Sequence, residues 1–296
     1  MSKSERSQIV RAQLLLLLVM TIWAANYPVT KYSLEKLDLY VFNSIRFVVA
    51  AALLAVIFFS SSQWTRVERA DWRSVLSAGF VASVLYQCAF VIGLSMTTAG
   101  NAAVLMATSP LWTVLFNARL HKERISSNMW FGAVLSLCGV ALISIGSGKK
   151  FEFGGYEMVG DVVCIAAAML WAFNTNLQKP LLVRYSPLQL ALMMISIGAV
   201  GLTLVAVPAA VKMEWSSIAW TYWLAAILSG ALSIGFGNIF WSYGVQRLGP
   251  SKTGTFSNLV PVLALLMSYF TLKEELHSIQ FIGSAITISG VWLARR

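Results

Sequence analysis

Two polar stripes stand out in a chain of 296 residues that is 58% hydrophobic and only 11% charged. After Trp23, the residues Asn26, Tyr27 and Thr30 follow at i+3, i+4 and i+7; after Trp171, Asn174, Thr175 and Gln178 follow at the same intervals. On an α-helix this spacing puts each set on one face. An indole heading a row of amides and hydroxyls can stack on an apolar group of a small molecule while the amides bond its amino and carboxylate groups. The same residue types also join helices to one another, so a packing role stands beside the binding role. Either way the stripes must face inward, because an Asn turned to hydrocarbon leaves its amide unpaired at a cost of about a few kcal/mol. A second group, Tyr86, Gln87 and Phe90, has Gly237, Asn238 and Trp241 as its partners 151 residues later. The candidate binding set is therefore Trp23, Asn26, Tyr27, Tyr86, Gln87, Trp171, Asn174, Asn238 and Trp241.

Other chemistry is thinly supplied. The only histidines are His121 and His277, and no Ser-His-Asp, His-Glu-x-x-His, Walker or Rossmann pattern occurs. Cys88, Cys138 and Cys164 fall within apolar runs without paired spacing, which gives neither a disulfide framework nor a zinc site. No catalytic residue, metal or cofactor is expected, and the chain does not read as an enzyme. An intramembrane enzyme would have to enlist Glu123 and His121, and a channel would need a filter-like loop or polar ring that the sequence lacks. All twelve acids lie in tails, loops or the ends of apolar runs, with Asp161 close to the start of one. Arg46 is the clearest charge within a run, placed where snorkelling toward the water is open to it. A neutral or zwitterionic ligand fits this inventory better than an organic cation exchanged for a proton.

The elements that must hold these residues are set by composition. Soluble domains carry about 25% charged residues, and this chain falls far short. A helix crossing the hydrocarbon core needs about 20 apolar residues. Ten such runs are expected, at 12–33, 40–60, 72–95, 98–119, 125–146, 159–183, 187–210, 218–245, 252–272 and 275–294. The first is read as a retained helix, since Trp23 occupies the place where a signal peptide cleaved after Ala25 needs a small residue. With the N-terminus inside, fifteen Lys and Arg residues fall in cytoplasmic segments and six outside, while Arg46 lies within a run. That positive-inside asymmetry puts both termini in the cytoplasm and accounts for the net charge of +10 without a nucleic-acid partner. Trp64, Trp72, Trp130, Trp215, Trp220 and Trp292 lie near run ends and are expected to anchor at the interface.

The chain also repeats. A shift of 151 aligns Gly93 with Gly244, Pro110 with Pro261, Lys122-Glu123 with Lys273-Glu274, Gly132 with Gly283 and Gly139 with Gly290; a shift of 148 aligns Trp23-Ala24 with Trp171-Ala172, Asn26 with Asn174 and Lys31 with Lys179. Five runs per copy is an odd number, so the second copy must cross the membrane in the opposite sense. The expected fold is an all-α integral membrane protein of ten transmembrane helices built as two inverted five-helix repeats, 1–148 and 149–296. Inverted repeats place a substrate site near the midplane where they meet. Pro28, Pro110 and Pro261 lie inside runs and predict kinks that could serve as hinges. The Lys-Glu breaks read as closures of the fourth and ninth helices.

Ten runs, the five-plus-five duplication, Trp-Ala in runs one and six, and Pro and Lys-Glu in runs four and nine together resemble the EamA family of the drug/metabolite transporter superfamily over the whole chain. Within it the chain is most similar to bacterial amino-acid exporters, those for aromatic amino acids included. The resemblance implies an alternating-access carrier exporting amino acids or similar small metabolites across a bacterial-type inner membrane, with a broad drug or metabolite carrier as the alternative. It would work on a small-molecule substrate in a lipid bilayer, as a monomer, with a dimer as the other option.

Overall fold

A computed structural model describes residues 3–61, 65–96, 105–122, 125–146, 155–272 and 277–295. Among these the chain is helical throughout, with no strand. The helices are α1 (Lys3–Ser33), α2 (Leu39–Ser60), α3 (72–96), α4 (Ser109–His121), α5 (Ser127–Gly146), α6 (Gly155–Arg184), α7 (Pro187–Lys212), α8 (Trp220–Leu248), α9 (250–272) and α10 (Ser278–Arg295). Six apolar stretches, in α1, α2, α3, α6, α7 and α8, are long and apolar enough to cross a membrane by length and composition. The described parts of α4, α5, α9 and α10 are shorter or more interrupted.

Local chemistry sets the boundaries. Asp38 starts α2 by accepting from the N–H groups of Tyr40 and Val41, at 2.8 and 3.3 Å. Ser186 caps α7 by accepting from the N–H of Gln189, and Pro187 fills the first helical position, where its missing N–H costs nothing. Gly249, at φ 82°, ends α8, and Pro250 opens α9 directly. Lys122 closes α4 at φ 52°, the one non-glycine at positive φ among the described residues. A left-handed residue at this place is how many helices stop. The matching Lys273-Glu274 break, with Glu123 and Arg124, lies outside the described residues.

The prolines act differently from the kinks expected within continuous helices. Pro110 is the second residue of α4, and the helical path is interrupted just before it, by a turn at Ala107-Thr108. Pro261 follows a 3-10 stretch, Phe256–Asn258, that divides α9. A proline in the first turn loses no hydrogen bond, so both breaks fall ahead of the proline instead of at it. Pro180 and Pro208 lie inside α6 and α7. The side chains of Tyr27 and Pro28 are outside the described residues.

Two irregularities have no counterpart in the sequence reading. Val81–Leu85 in α3 and Ser229–Phe236 in α8 are wound as π-helix. Shifted by 151, the first becomes 232–236 and lies inside the second. Such segments insert an extra residue in the hydrogen-bond ladder and are frequent at functional positions.

Between helices, packing follows small residues. Without a hydrophobic drive in lipid, helices associate through close van der Waals contact. A Cβ on Gly132 would meet the carbonyl of Gly290, and one on Gly283 the carbonyl of Gly139, so α5 and α10 touch backbone to backbone. Gly93 of α3 lies against Cys164 of α6, and Gly244 of α8 against Leu16 of α1. The main partnerships are α5 with α10, α2 with α7, α4 with α9, α3 and α4 with α6, α8 and α9 with α1, α3 with α7 and α2 with α8. Moving every helix by five places returns the same set of pairs. Large apolar side chains such as Phe59, Phe131 and Val183 point outward, while Asn174, Thr175, Gln178 and Ser233 are buried, the reverse of a water-soluble protein. Trp72, Trp215, Trp220 and Trp292 are exposed near helix ends.

Candidate functional site

Where α1, α3, α6 and α8 meet, four aromatic side chains converge. Trp23 lies 5.4 Å from both Trp171 and Trp241, and Trp171 lies 5.1 Å from Trp241, centroid to centroid. Tyr86 joins at 5.1 Å from Trp171, with Phe90 6.0 Å beyond it. These distances and the tilted or edge-on planes suit attraction between aromatic quadrupoles. Trp23 comes from one half of the sequence, Trp171 from the other, and the two meet edge to face at 74°. Gly237 lies against the Trp23 indole nitrogen, the place corresponding to that of Tyr86 on Trp171. One half thus has a phenol where the other has space.

The polar residues divide sharply. Asn26 is used inside the protein: its Oδ1 accepts from Ser229 at 2.6 Å and its Nδ2 donates to Thr30 at 3.1 Å. Gln178 accepts from Ser242 at 2.8 Å, Thr175 donates to the Trp171 carbonyl and Asn238 to the Ile234 carbonyl. The Trp23 indole N–H donates to the Ser233 carbonyl at 3.1 Å, within the π-helical stretch of α8. Asn174 stands apart. It is 1% exposed, and neither amide atom has a hydrogen-bond partner. The indole N–H of Trp241, fully buried, is also unpaired. The difference between the two asparagines follows from one substitution. Ser229, which bonds Asn26, corresponds to Ala78 in the other half, and alanine offers no hydroxyl. Gln87 is half-buried on the turn beside Tyr86.

The site therefore combines stacked indoles, one phenol, and two buried polar groups with unused bonding capacity. Buried polar groups in proteins are nearly always paired. Donors and an acceptor left over beside an aromatic cluster can bond a guest whose apolar part the rings receive. Of the expected set, the structure brings together Trp23, Trp171, Tyr86 and Trp241. It commits Asn26 to helix packing and Asn238 to its own helix. The comparison of Ser229 with Ala78 was the sequence signal that could have separated Asn174 from Asn26.

Two closures flank the helices that carry the cluster. At one end, Arg184 donates to Asp71 Oδ1 and Oδ2 at 3.0 and 2.9 Å and to Glu68 at 3.2 Å; the Tyr185 hydroxyl donates to Asp71 at 2.7 Å. Gln189 exchanges two bonds with the Thr65 backbone alongside. At the other, Tyr32 stacks on Tyr222 at 4.5 Å and its hydroxyl pairs with that of Thr221 at 2.7 Å. One closure is ionic and the other aromatic. The Tyr185 hydrogen bond, with Arg184 as a further contributor, holds the Asp71 carboxyl below its ordinary range. A depressed carboxylate adds stability above its unfolded pKa, and that gain is lost as pH falls through the folded value. Asp71→Asn should then melt below wild type at neutral pH, and the two melting curves should converge at acid pH. A constant gap between them at all pH values would show that Asp71 acts by shape alone.

Comparison with known proteins agrees with this architecture. The model of the EamA-like transporter family matches residues 10–145 and 158–296. An uncharacterized transporter of Archaeoglobus fulgidus is 28% identical over 96% of both chains. A probable terminal-alkyne amino-acid exporter of Streptantibioticus cattleyicolor is 28% identical over 95% of this chain and 92% of its own. The uncharacterized transporter YyaM of Bacillus subtilis is 26% identical over 91% and 88%. A solved crystal structure superposes with a TM-score of 0.82 over 96% of both chains at 18% identity, a likeness of fold.

Proposed function

The chain belongs to the EamA-like transporter family, so it is a multi-pass membrane transporter of small molecules and not an enzyme, and on that premise we propose that it is an alternating-access carrier exporting amino acids or similar small metabolites across the inner membrane. The observation that carries this reading is the aromatic cluster of Trp23, Trp171, Trp241 and Tyr86, drawn from both halves of the chain, with the unpaired Asn174 amide about one turn along α6 from Trp171. A site shared by two halves changes shape when they move against one another, which is what alternating access requires.

Supporting the two-unit reading, 1–148 and 149–296 in inverted orientation, is the pairing of helices, which survives a shift of five. So do the reciprocal contacts Gly132–Gly290 and Gly283–Gly139, and Gly93–Cys164 and Gly244–Leu16, each of which maps onto its partner under the sequence offsets. The matched π-helical stretches in α3 and α8 offer two equivalent places where a helix can adjust its winding as one end opens. The Lys and Arg distribution supports cytoplasmic termini; in that orientation the Asp71–Arg184 closure faces inside and the Tyr32–Tyr222 closure outside. Amino acids are favoured over other metabolites by the mixed apolar and amide character of the site, and one similar protein carries the name of an amino-acid exporter.

Proteoliposomes loaded with a single unlabelled amino acid and given trace labelled amino acid outside test the reading. A carrier concentrates label transiently by counterflow and saturates with substrate. Flux that rises linearly without counterflow would mark a channel, and silence across all twenty amino acids would remove them as the cargo.

A further inference from the structure

Arg46 is the eighth residue of α2, which at 1.5 Å per residue puts its Cα about 10 Å along the helix. The sequence reading let its side chain snorkel toward water. The side chain does turn back by one helical turn, as Cβ direction dictates, but it stops inside the protein, 7% exposed. Its Nη1 donates to Asn43 Oδ1 at 3.0 Å, and the guanidinium sits 5.1 Å from the centroid of the Phe42 ring. Its Nε is buried and has no partner. Among the described residues no carboxylate pairs with it. An arginine has five N–H donors and keeps its charge. One amide oxygen and a ring face are a poor substitute for a counter-ion, and an unpaired buried charge is strongly unfavourable.

The position of this charge matters more than its burial. Tyr86 lies within electrostatic reach of the guanidinium, and its ring leans on Trp171. Gly230, inside the π-helical stretch of α8, packs on the Arg46 backbone so closely that a Cβ there would meet the Arg46 carbonyl. Arg46 thus packs on α8 at Gly230, next to Ser229, which bonds Asn26 one turn along α1 from Trp23 of the aromatic cluster. We propose that Arg46 is the anchor for a carboxylate group of the transported molecule, which would supply the counter-charge that no described residue gives the guanidinium. This rests on the aromatic cluster being the transport site, and it narrows the cargo to molecules bearing a carboxylate. The guanidinium fork matches a carboxylate in a bidentate pair, and the indoles receive the apolar remainder. An empty carrier keeps the charge tolerable through Asn43 and Phe42, which are weak enough to be displaced.

The test uses the full-length protein in lipid nanodiscs and two probe sets titrated by thermal shift. One comprises L-leucine, L-leucinamide, 4-methylpentanoate and 3-methylbutylamine; the other L-phenylalanine, its amide, 3-phenylpropanoate and 2-phenylethylamine. Wild type is expected to bind the carboxylates of at least one set at least tenfold more tightly than the matching amide and amine. Arg46→Gln should erase that preference and leave amide binding unchanged, and Arg46→Lys should retain part of it. Asn43→Asp guards against a folding defect: a carboxylate fixed beside Arg46 should keep or raise the melting temperature while lowering carboxylate binding tenfold. Preference for carboxylates that survives Arg46→Gln or Asn43→Asp overturns the anchor. Amines or amides binding wild type while carboxylates do not would overturn it too, with the transport site left standing. Binding by no probe of either set would count against the amino-acid reading and this inference together.

Discussion

Trp171→Ala is expected to reduce counterflow by about 100-fold, since removing a central aromatic anchor costs 2–4 kcal/mol and each 1.4 kcal/mol is a factor of ten. Trp171 touches Trp23, Trp241 and Tyr86 at once, so its loss opens the cluster in which rings of both halves are packed together. Relative rates among apolar amino acids should shift in the same variant, because the remaining rings no longer hold a fixed wall. The folded yield should fall only modestly, because α6 remains held by contacts along its whole length, among them Gly93 on Cys164 and the Asn176 amide on the Thr113 carbonyl. Trp292→Ala, at an exposed helix end, is the control and should change neither rate nor preference. Normal counterflow by Trp171→Ala in well-folded protein would place the transport site elsewhere.

The second large effect separates two residues that the sequence treats as equals. Asn174→Leu should raise the melting temperature and abolish transport, whereas Asn26→Leu should lower the melting temperature. The signs differ because an unpaired buried amide costs about 1–3 kcal/mol, which an apolar side chain of similar size recovers. Asn26 has both its amide atoms bonded, to Ser229 and Thr30, and its removal strands the Ser229 hydroxyl. Asn174 has neither. A polar group kept at a cost in stability is the usual sign of a functional demand. Melting and counterflow measured on the two purified variants decide the matter. A stabilised Asn174→Leu with full transport would mean that the amide serves no cargo.

Much of the helical plan was legible because it rests on composition. Apolar runs bounded by charge gave helices whose ends mostly lie close to those observed, although α1 begins nine residues before its run and α4 begins at Ser109 where the run was expected from 98, and the capping groups Asp38, Ser186 and Gly249 lie where chain chemistry puts them. The convergence of Trp23, Trp171, Tyr86 and Trp241 was legible in outline, since helical spacing and the internal offsets mark which faces turn inward. What did not show was anything decided by a partner. The π-helical stretches Val81–Leu85 and Ser229–Phe236 depend on how α3 and α8 pack, and their residues are ordinary helix residues. Pro110 looked like a mid-helix kink because the apolar run continues through it, yet the chain breaks at Thr108 and lets Pro110 begin a new helix. Arg46 looked like a snorkelling side chain because sequence records its depth but not that Phe42 and Asn43 intercept it.

The most direct test of a shared central site is a structure of the full-length protein with a counterflow-active amino acid bound in nanodiscs. The account predicts ligand density in contact with Trp171, Tyr86 and Trp241, with its polar end within hydrogen-bonding distance of Asn174 or Arg46. Density in the lateral groove lined by Leu17, Phe256, Leu259 and Trp292, with the four central rings still packed on one another, would contradict it.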